Sequence, residues 1–127
     1  MSNTLSLGGT ANIRAIDATN FVVAMTGVFD GGVYAKTTGV TESEDGKKHY
    51  ELRHYFVTDD GSYLYTQDKS IHTPVDGKNH FAQTEYTVVE AGGKFAGLTG
   101  SFKSWGAIDY STGIGVLRFE GQLNPSE

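Results

Sequence analysis

Cysteine is absent from the 127 residues, which excludes disulfides, thiolate metal sites, iron–sulfur clusters and cysteine nucleophiles together. Long apolar runs are also missing: nothing approaches the roughly eighteen residues needed to span a bilayer. Met1 to Asp17 has neither the basic start nor the apolar stretch of a secretory signal. A cytoplasmic protein is the expectation. Basic residues are few, ten Lys and Arg against fifteen Asp and Glu, and the net charge of −5 opposes phosphate backbones and anionic lipid surfaces. Neither nucleic acid nor a membrane is expected as a partner. Proline is confined to Pro74 and Pro125, and no stretch carries the periodicity of an amphipathic helix.

What is present points to β structure: 17 glycines, seven Tyr, seven Phe and one Trp. The length suits one domain over residues 1–127. Strand-length segments of β-branched and aromatic residues alternate with short polar or glycine-rich breaks. They predict strands near Thr10 to Ile16, Phe21 to Phe29, Val33 to Thr41 and His49 to Thr58. Four more fall near Ser62 to His72, His80 to Val89, Ser101 to Asp109 and Ile114 to Leu123. The breaks Asp59-Asp60-Gly61, Asp76-Gly77, Gly92-Gly93 and Ser111-Thr112-Gly113 are turn chemistry, glycine for positive φ and Asp or Ser for bonds to nearby backbone. About eight sequential antiparallel strands remove their edges by closing, so an all-β, up-and-down antiparallel barrel is predicted, with an open sandwich as the competing arrangement.

Both Asp59-Asp60-Gly61 and Ser111-Thr112-Gly113 suit a three-residue hairpin loop ending in a left-handed glycine. In the second hairpin that register sets Trp105 opposite Phe119 and Ala107 opposite Leu117, with Arg118 and Glu120 on the other face. A four-residue turn would set Trp105 against Arg118, so hydrophobic consistency favours the shorter loop.

Alternation in the fourth strand puts Leu52, His54 and Phe56 on one face and Glu51, Arg53 and Tyr55 on the other. The first face is the more apolar, which points His54 inward, either as a satisfied core histidine or as a group that contacts ligand and moves a proton. In the sixth strand two orientations stay open. One brings the phenol of Tyr86 inside; the other buries Glu85 as an acid or base. Tyr34, Tyr63 and Tyr65 are candidates for lining a cavity or for packing alone, and Leu52, Phe56, Trp105 and Phe119 are the candidate apolar walls. His49 and His54 stand an odd number of residues apart and face opposite ways. His72 and His80 flank the loop Thr73 to Asn79 with Asp76 between them, but the set lacks the compact spacing of zinc motifs and no metal site is assigned.

No nucleophile elbow, phosphate loop or dinucleotide fingerprint occurs, and no cofactor is expected. The glycine-rich string Gly92-Gly93-Lys94-Phe95-Ala96-Gly97-Leu98-Thr99-Gly100-Ser101-Phe102 precedes a strand, so its role is to turn the chain. Together with the Ser-Thr-Gly turn and Val116-Leu117-Arg118-Phe119-Glu120-Gly121, it resembles the C-terminal half of allene oxide cyclase-like and dirigent-like barrels over about the last forty residues. The resemblance implies a calycin-like eight-stranded barrel that encloses a hydrophobic or phenolic ligand and forms oligomers. The catalytic carboxylate and tyrosine of the plant cyclases do not map onto particular positions of this chain.

Two function classes follow. One is a cofactor-independent isomerase, cyclase or lyase acting on a small hydrophobic molecule enclosed in the barrel, with His54, Tyr86 and Glu85 as candidate catalytic groups. The other is a lipocalin-like protein that binds such a molecule unchanged; a filled barrel acting through its surface is a third possibility. Phe21-Val22-Val23-Ala24-Met25 is apolar on both strand faces, which predicts a homo-oligomer, a dimer or trimer.

Overall fold

The computed structural model describes residues 4–27 and 30–126. Eight strands run β1 (Leu5–Ala15), β2 (Asn20–Gly27), β3 (Gly31–Glu42), β4 (Lys48–Thr58), β5 (Tyr63–Pro74), β6 (Asn79–Gly92), β7 (Leu98–Asp109) and β8 (Ile114–Pro125). Each pairs antiparallel with its sequence neighbours, and β1 also pairs with β8 from Leu5↔Leu123 to Arg14↔Ile114. That last ladder closes the sheet. It excludes the open sandwich and makes the all-β up-and-down barrel expected from the turn rhythm. The predicted strands match within a few residues, except that β1 starts earlier and β6 runs on to Gly92; the expected second-strand end at Phe29 lies outside the described residues. One short 3-10 turn, Gly93–Phe95, is the sole helical element among the described residues. None of these contains a helix long and apolar enough to cross a membrane.

Curvature needs close backbone approach at the β1–β2 corner. Gly9 pairs with Gly27, both at positive φ, and a Cβ on Gly9 would fall 2.0 Å from the Thr26 carbonyl oxygen. The two barrel ends differ. Leu7, Leu64, Phe95, Leu98 and Leu123 are all buried at the end that carries the 59–61 and 93–97 turns, with Leu64 and Leu123 fully enclosed. Removing such side chains from water stabilises by about 1.5–3 kcal/mol each, so this end is plugged. Turns 16–19, 43–47, 75–78 and 110–113 surround the other end.

All four turns of that second end are held by an aspartate. Oδ1 of Asp17, Asp45, Asp76 and Asp109 accepts a backbone N–H two residues ahead, from Thr19, Lys47, Lys78 and Ser111 at 2.9, 3.1, 2.9 and 2.8 Å. Accepted hydrogen bonds hold each carboxyl below its ordinary range: Asp17 first through Thr19 N–H, and Asp45, Asp76 and Asp109 first through the side chains of Ser43, Asn79 and Ser111 with the backbone bonds adding, Asp76 lying at about 2.

The 59–61 loop has the expected three residues: Thr58 N–H donates to the Ser62 carbonyl at 2.9 Å and Gly61 takes φ +83°. The last hairpin does not. Asp109 pairs with Ile114, Gly113 N–H donates to the Asp109 carbonyl at 2.8 Å, and the loop is Tyr110 to Gly113. The carboxylate of Asp109 collects Ser111 N–H and Oγ and so stabilises the longer turn. The register therefore shifts by one residue, Trp105 stands opposite Arg118 and Gln83, and it is half-buried on the outer wall rather than in the lumen. Ser104 and Gly106 take the inward places opposite Phe119 and Leu117.

Candidate functional site

The parity of β4 sends Leu52, His54 and Phe56 into the barrel, as expected, and they line an internal cavity of about 60 Å³ with Tyr86 and Phe119. His54 and Phe56 are buried, and their rings lie 5.6 Å apart. The β6 alternation resolves toward Tyr86, which is buried together with Ala82 and Thr84. Glu85 is thereby placed outside and exposed, so it is not a buried acid or base. Its position is explained by the register: Glu51, Lys69, Glu85, Lys103 and Glu120 stand side by side across β4 to β8, alternating in sign on the solvated face.

Tyr34 and Tyr65 are also outward, which removes them from the cavity wall. Tyr34 is register partner of Tyr55, and Tyr55 of Tyr65; the rings stack at 5.9 Å and meet edge-on at 5.0 Å along the exterior. Tyr63 is half-buried on the same exterior row, 4.8 Å from Tyr65. These tyrosines pack with one another because the lumen side of β3 and β5 belongs to Val33, Ala35, Leu64 and smaller polar residues.

The residue that sequence reasoning missed is Asp68. Its side chain is wholly buried, and Oδ2 lies 2.5 Å from His54 Nδ1. A carboxylate accepts only, so the imidazole Nδ1–H donates, and in the neutral form of the ring Nε2 is the nitrogen that carries the lone pair. Nε2 of His54 makes no hydrogen bond among the described residues. A signal for Asp68 existed: the three-residue turn at 59–61 sets Phe56 opposite Leu64 and His54 opposite Thr66, which carries Asp68 to the inner face. Asp68 Oδ1 and Thr66 Oγ1 are buried without a hydrogen-bond partner among the described residues.

Two other lumenal pairs satisfy each other, whereas Thr37 Oγ1 and His80 Nδ1 are buried with no hydrogen-bond partner among the described residues. Ser70 and Thr84 hydroxyls meet at 2.7 Å, as do Tyr86 and Ser104. Burial pushes the Tyr86 phenol well above its ordinary range, against the opposing effect of the Ser104 bond, and the neighbouring Asp68 charge adds to the rise. Tyr86 is thus held as a neutral phenol. It packs edge-on to His54 at 4.9 Å and flat on Phe102 at 4.6 Å.

Toward the turn-lined end, Ile13, Phe21, Leu52, His72 and Ile108 border both the internal cavity and a wider mouth of about 220 Å³. Tyr50 and Tyr110 form the polar part of the mouth with His72. His72 and His80 do face the same side, but each packs on Tyr110, while Asp76 turns its carboxylate back to Lys78 and Asn79. Among the described residues no group of three His, Asp or Glu side chains converges to hold a metal ion. His49 points outward to Ser43, 3.1 Å from its hydroxyl.

Comparison with protein-family models, with curated proteins and with solved structures gives no match for this chain.

Proposed function

We propose that this barrel admits a small, mostly apolar molecule through its turn-lined end and moves a proton on it, acting as a cofactor-independent isomerase, cyclase or lyase. One observation carries the reading: in a lumen walled mainly by apolar side chains, Asp68 fixes the His54 ring and leaves Nε2 uncommitted. A histidine oriented by a carboxylate has a defined tautomer and a lone pair aimed by packing rather than by chance. The inner cavity is too small for a whole drug-sized ligand, for which about 300 Å³ is a lower bound. One end of a compact molecule reaches His54 while the rest occupies the mouth. The neutral phenol of Tyr86 packs against His54 at the same spot, with ring centroids 4.9 Å apart. The resemblance to allene oxide cyclase-like barrels supports an enclosed apolar substrate.

A second reading has its own support. Ser70 with Thr84 and Tyr86 with Ser104 form closed pairs, so much of the lumenal polarity is internally satisfied, as suits a lipocalin-like binder of the same class of molecule. Incubating wild type and His54→Gln with small β,γ-unsaturated ketones in D2O separates the two. Catalysis predicts isomerisation or exchange of C–H protons that falls on the order of a hundredfold in the variant. Binding without exchange in either protein establishes the carrier. Self-association belongs to the same proposal and rests on Val22, outward and 44% exposed beside Tyr34; sedimentation as a monomer at micromolar concentration would remove it.

A further inference from the structure

Four rings meet at the mouth. Tyr110 opens the β7–β8 turn and is anchored by its N–H to the Lys78 carbonyl at 2.8 Å. Its ring lies flat on His80, 3.8 Å between centroids at 14°, so the phenol cannot swing freely. The hydroxyl sits 2.8 Å from Tyr50 Oη and 2.6 Å from His72 Nδ1. A phenol is a far stronger donor than a neutral imidazole N–H, and an imidazole nitrogen a far stronger acceptor than a phenol oxygen. The short Tyr110 to His72 contact is the expected product of that match. The relay then runs from Tyr50 O–H to Tyr110, and from Tyr110 O–H to His72 Nδ1.

We infer that this relay fixes His72 with its proton on Nε2, as a neutral hydrogen-bond donor for a carbonyl oxygen of the ligand. His72 borders both the inner cavity and the mouth, and Nε2 has no hydrogen-bond partner among the described residues. Burial, then the nearby His80 and Lys48 charges, lowers His72 to about 4, which keeps the ring neutral near pH 7. The two lumenal histidines are thereby held in opposite tautomers. Asp68 accepts from Nδ1–H of His54, which keeps the proton there and leaves Nε2 as the base of the neutral ring; Tyr110 donates to Nδ1 of His72 and leaves the N–H at Nε2.

This inference rests on the proton-transfer reading above and names its substrate class: a compact β,γ-unsaturated ketone, whose α C–H lies between the carbonyl and the C=C bond. His54 Nε2 takes that proton, the C–H electron pair becomes a C=C bond, and the carbonyl π pair moves onto oxygen, where His72 Nε2–H holds it. Return of the proton from His54 to the γ carbon of the dienolate regenerates the carbonyl and shifts the double bond. No oxidant, reductant or other reactant enters.

Long-range nitrogen-15 NMR of the full-length protein reads the tautomers directly, without ligand and then with 2-cyclohexenone as the probe. The expected result is His72 protonated on Nε2, His54 on Nδ1, and a shift of the His72 Nε2–H signal on adding the enone. Tyr110→Phe is expected to release His72 into a tautomer mixture. With 3-cyclohexenone as substrate, His72→Leu is expected to lose on the order of a hundredfold in kcat, and His72→Gln, which keeps an N–H donor, to recover part of it. A proton found on Nδ1 of His72 overturns the inference whatever the ligand does. An enone that shifts His54 and Phe119 signals but not His72 Nε2–H also overturns it, while the reading of His54 stands. No response anywhere in the lumen overturns the enclosed-ligand reading, and the inference falls with it.

Discussion

Asp68 reaches His54 along the diagonal of the β4–β5 ladder: His54 is register partner of Thr66, and the carboxylate two residues further on spans to Nδ1 at 2.5 Å. A diagonal contact of this kind is available only when both residues face the same side, and burial of both places that side in the lumen. The pair is therefore largely shielded from water, Asp68 completely and His54 all but its cavity side. Removing one partner strands the other, and breaking a buried pair in this way costs about 3–5 kcal/mol.

Asp68→Asn is expected to lower unfolding free energy in urea within that range and to reduce proton transfer with His54→Gln-like severity. In a double-mutant cycle the two substitutions together should cost clearly less than their sum, by on the order of 1 kcal/mol or more. Additive effects would show that the contact carries no coupling.

Tyr86→Phe removes the hydroxyl from Ser104 and leaves Ser104 Oγ buried without its 2.7 Å partner. A loss of about 1–3 kcal/mol is expected, and Ser104→Ala placed on top of it should restore part of the stability. Equal stability of Tyr86→Phe and wild type would show that the pair is incidental to the fold.

His72 gives a pH signature. Its folded value of about 4 lies below the ordinary 6.5, so the unfolded chain binds a proton that the folded chain refuses. Stability from this group is complete above pH 6.5 and falls as the pH drops toward 4, by about 3 kcal/mol in all. The turn aspartates lose their contribution only lower, below the ordinary carboxyl value of 3.8, because their folded values are depressed. Melting temperature followed from pH 7 to 2 should therefore fall in two steps. His72→Gln should flatten the upper step alone.

Gly9→Ala should destabilise by more than about 1 kcal/mol, since the added methyl meets backbone rather than a movable side chain. The reference substitution is Gly77→Ala, where nothing lies within 4 Å of the new Cβ. That change is expected to be neutral or slightly stabilising, and thermal melts of the two variants make the comparison. Similar melting temperatures would show that the β1–β2 corner relaxes at little cost.

Strand number, most strand spans to within a few residues, the places of the 59–61, 76–77, 92–93 and 111–113 breaks and the inward direction of His54 were legible in the chain. Local chemistry determines them: glycine and aspartate mark turns, and a period of two assigns residues to opposite faces within one strand. Asp68 was legible in principle through the 59–61 turn, yet β5 hid it. Its inner set, Leu64, Thr66, Asp68, Ser70 and His72, is the more polar one, while Tyr63, Tyr65 and Ile71 stand on the outer wall. Parity alone cannot say which face is inside when the apolar residues are the outer ones. The 110–113 turn was decided by a side chain, since Asp109 binds Ser111 and lengthens the loop by one residue, which turned Trp105 outward. Only the assembled register of the barrel fixed the remainder. It placed Glu85 in the charged exterior ladder and Tyr86 in the lumen, and it brought Tyr50, His72, His80 and Tyr110 from four separate segments to one mouth. Those contacts join residues far apart in sequence, and no local preference encodes them.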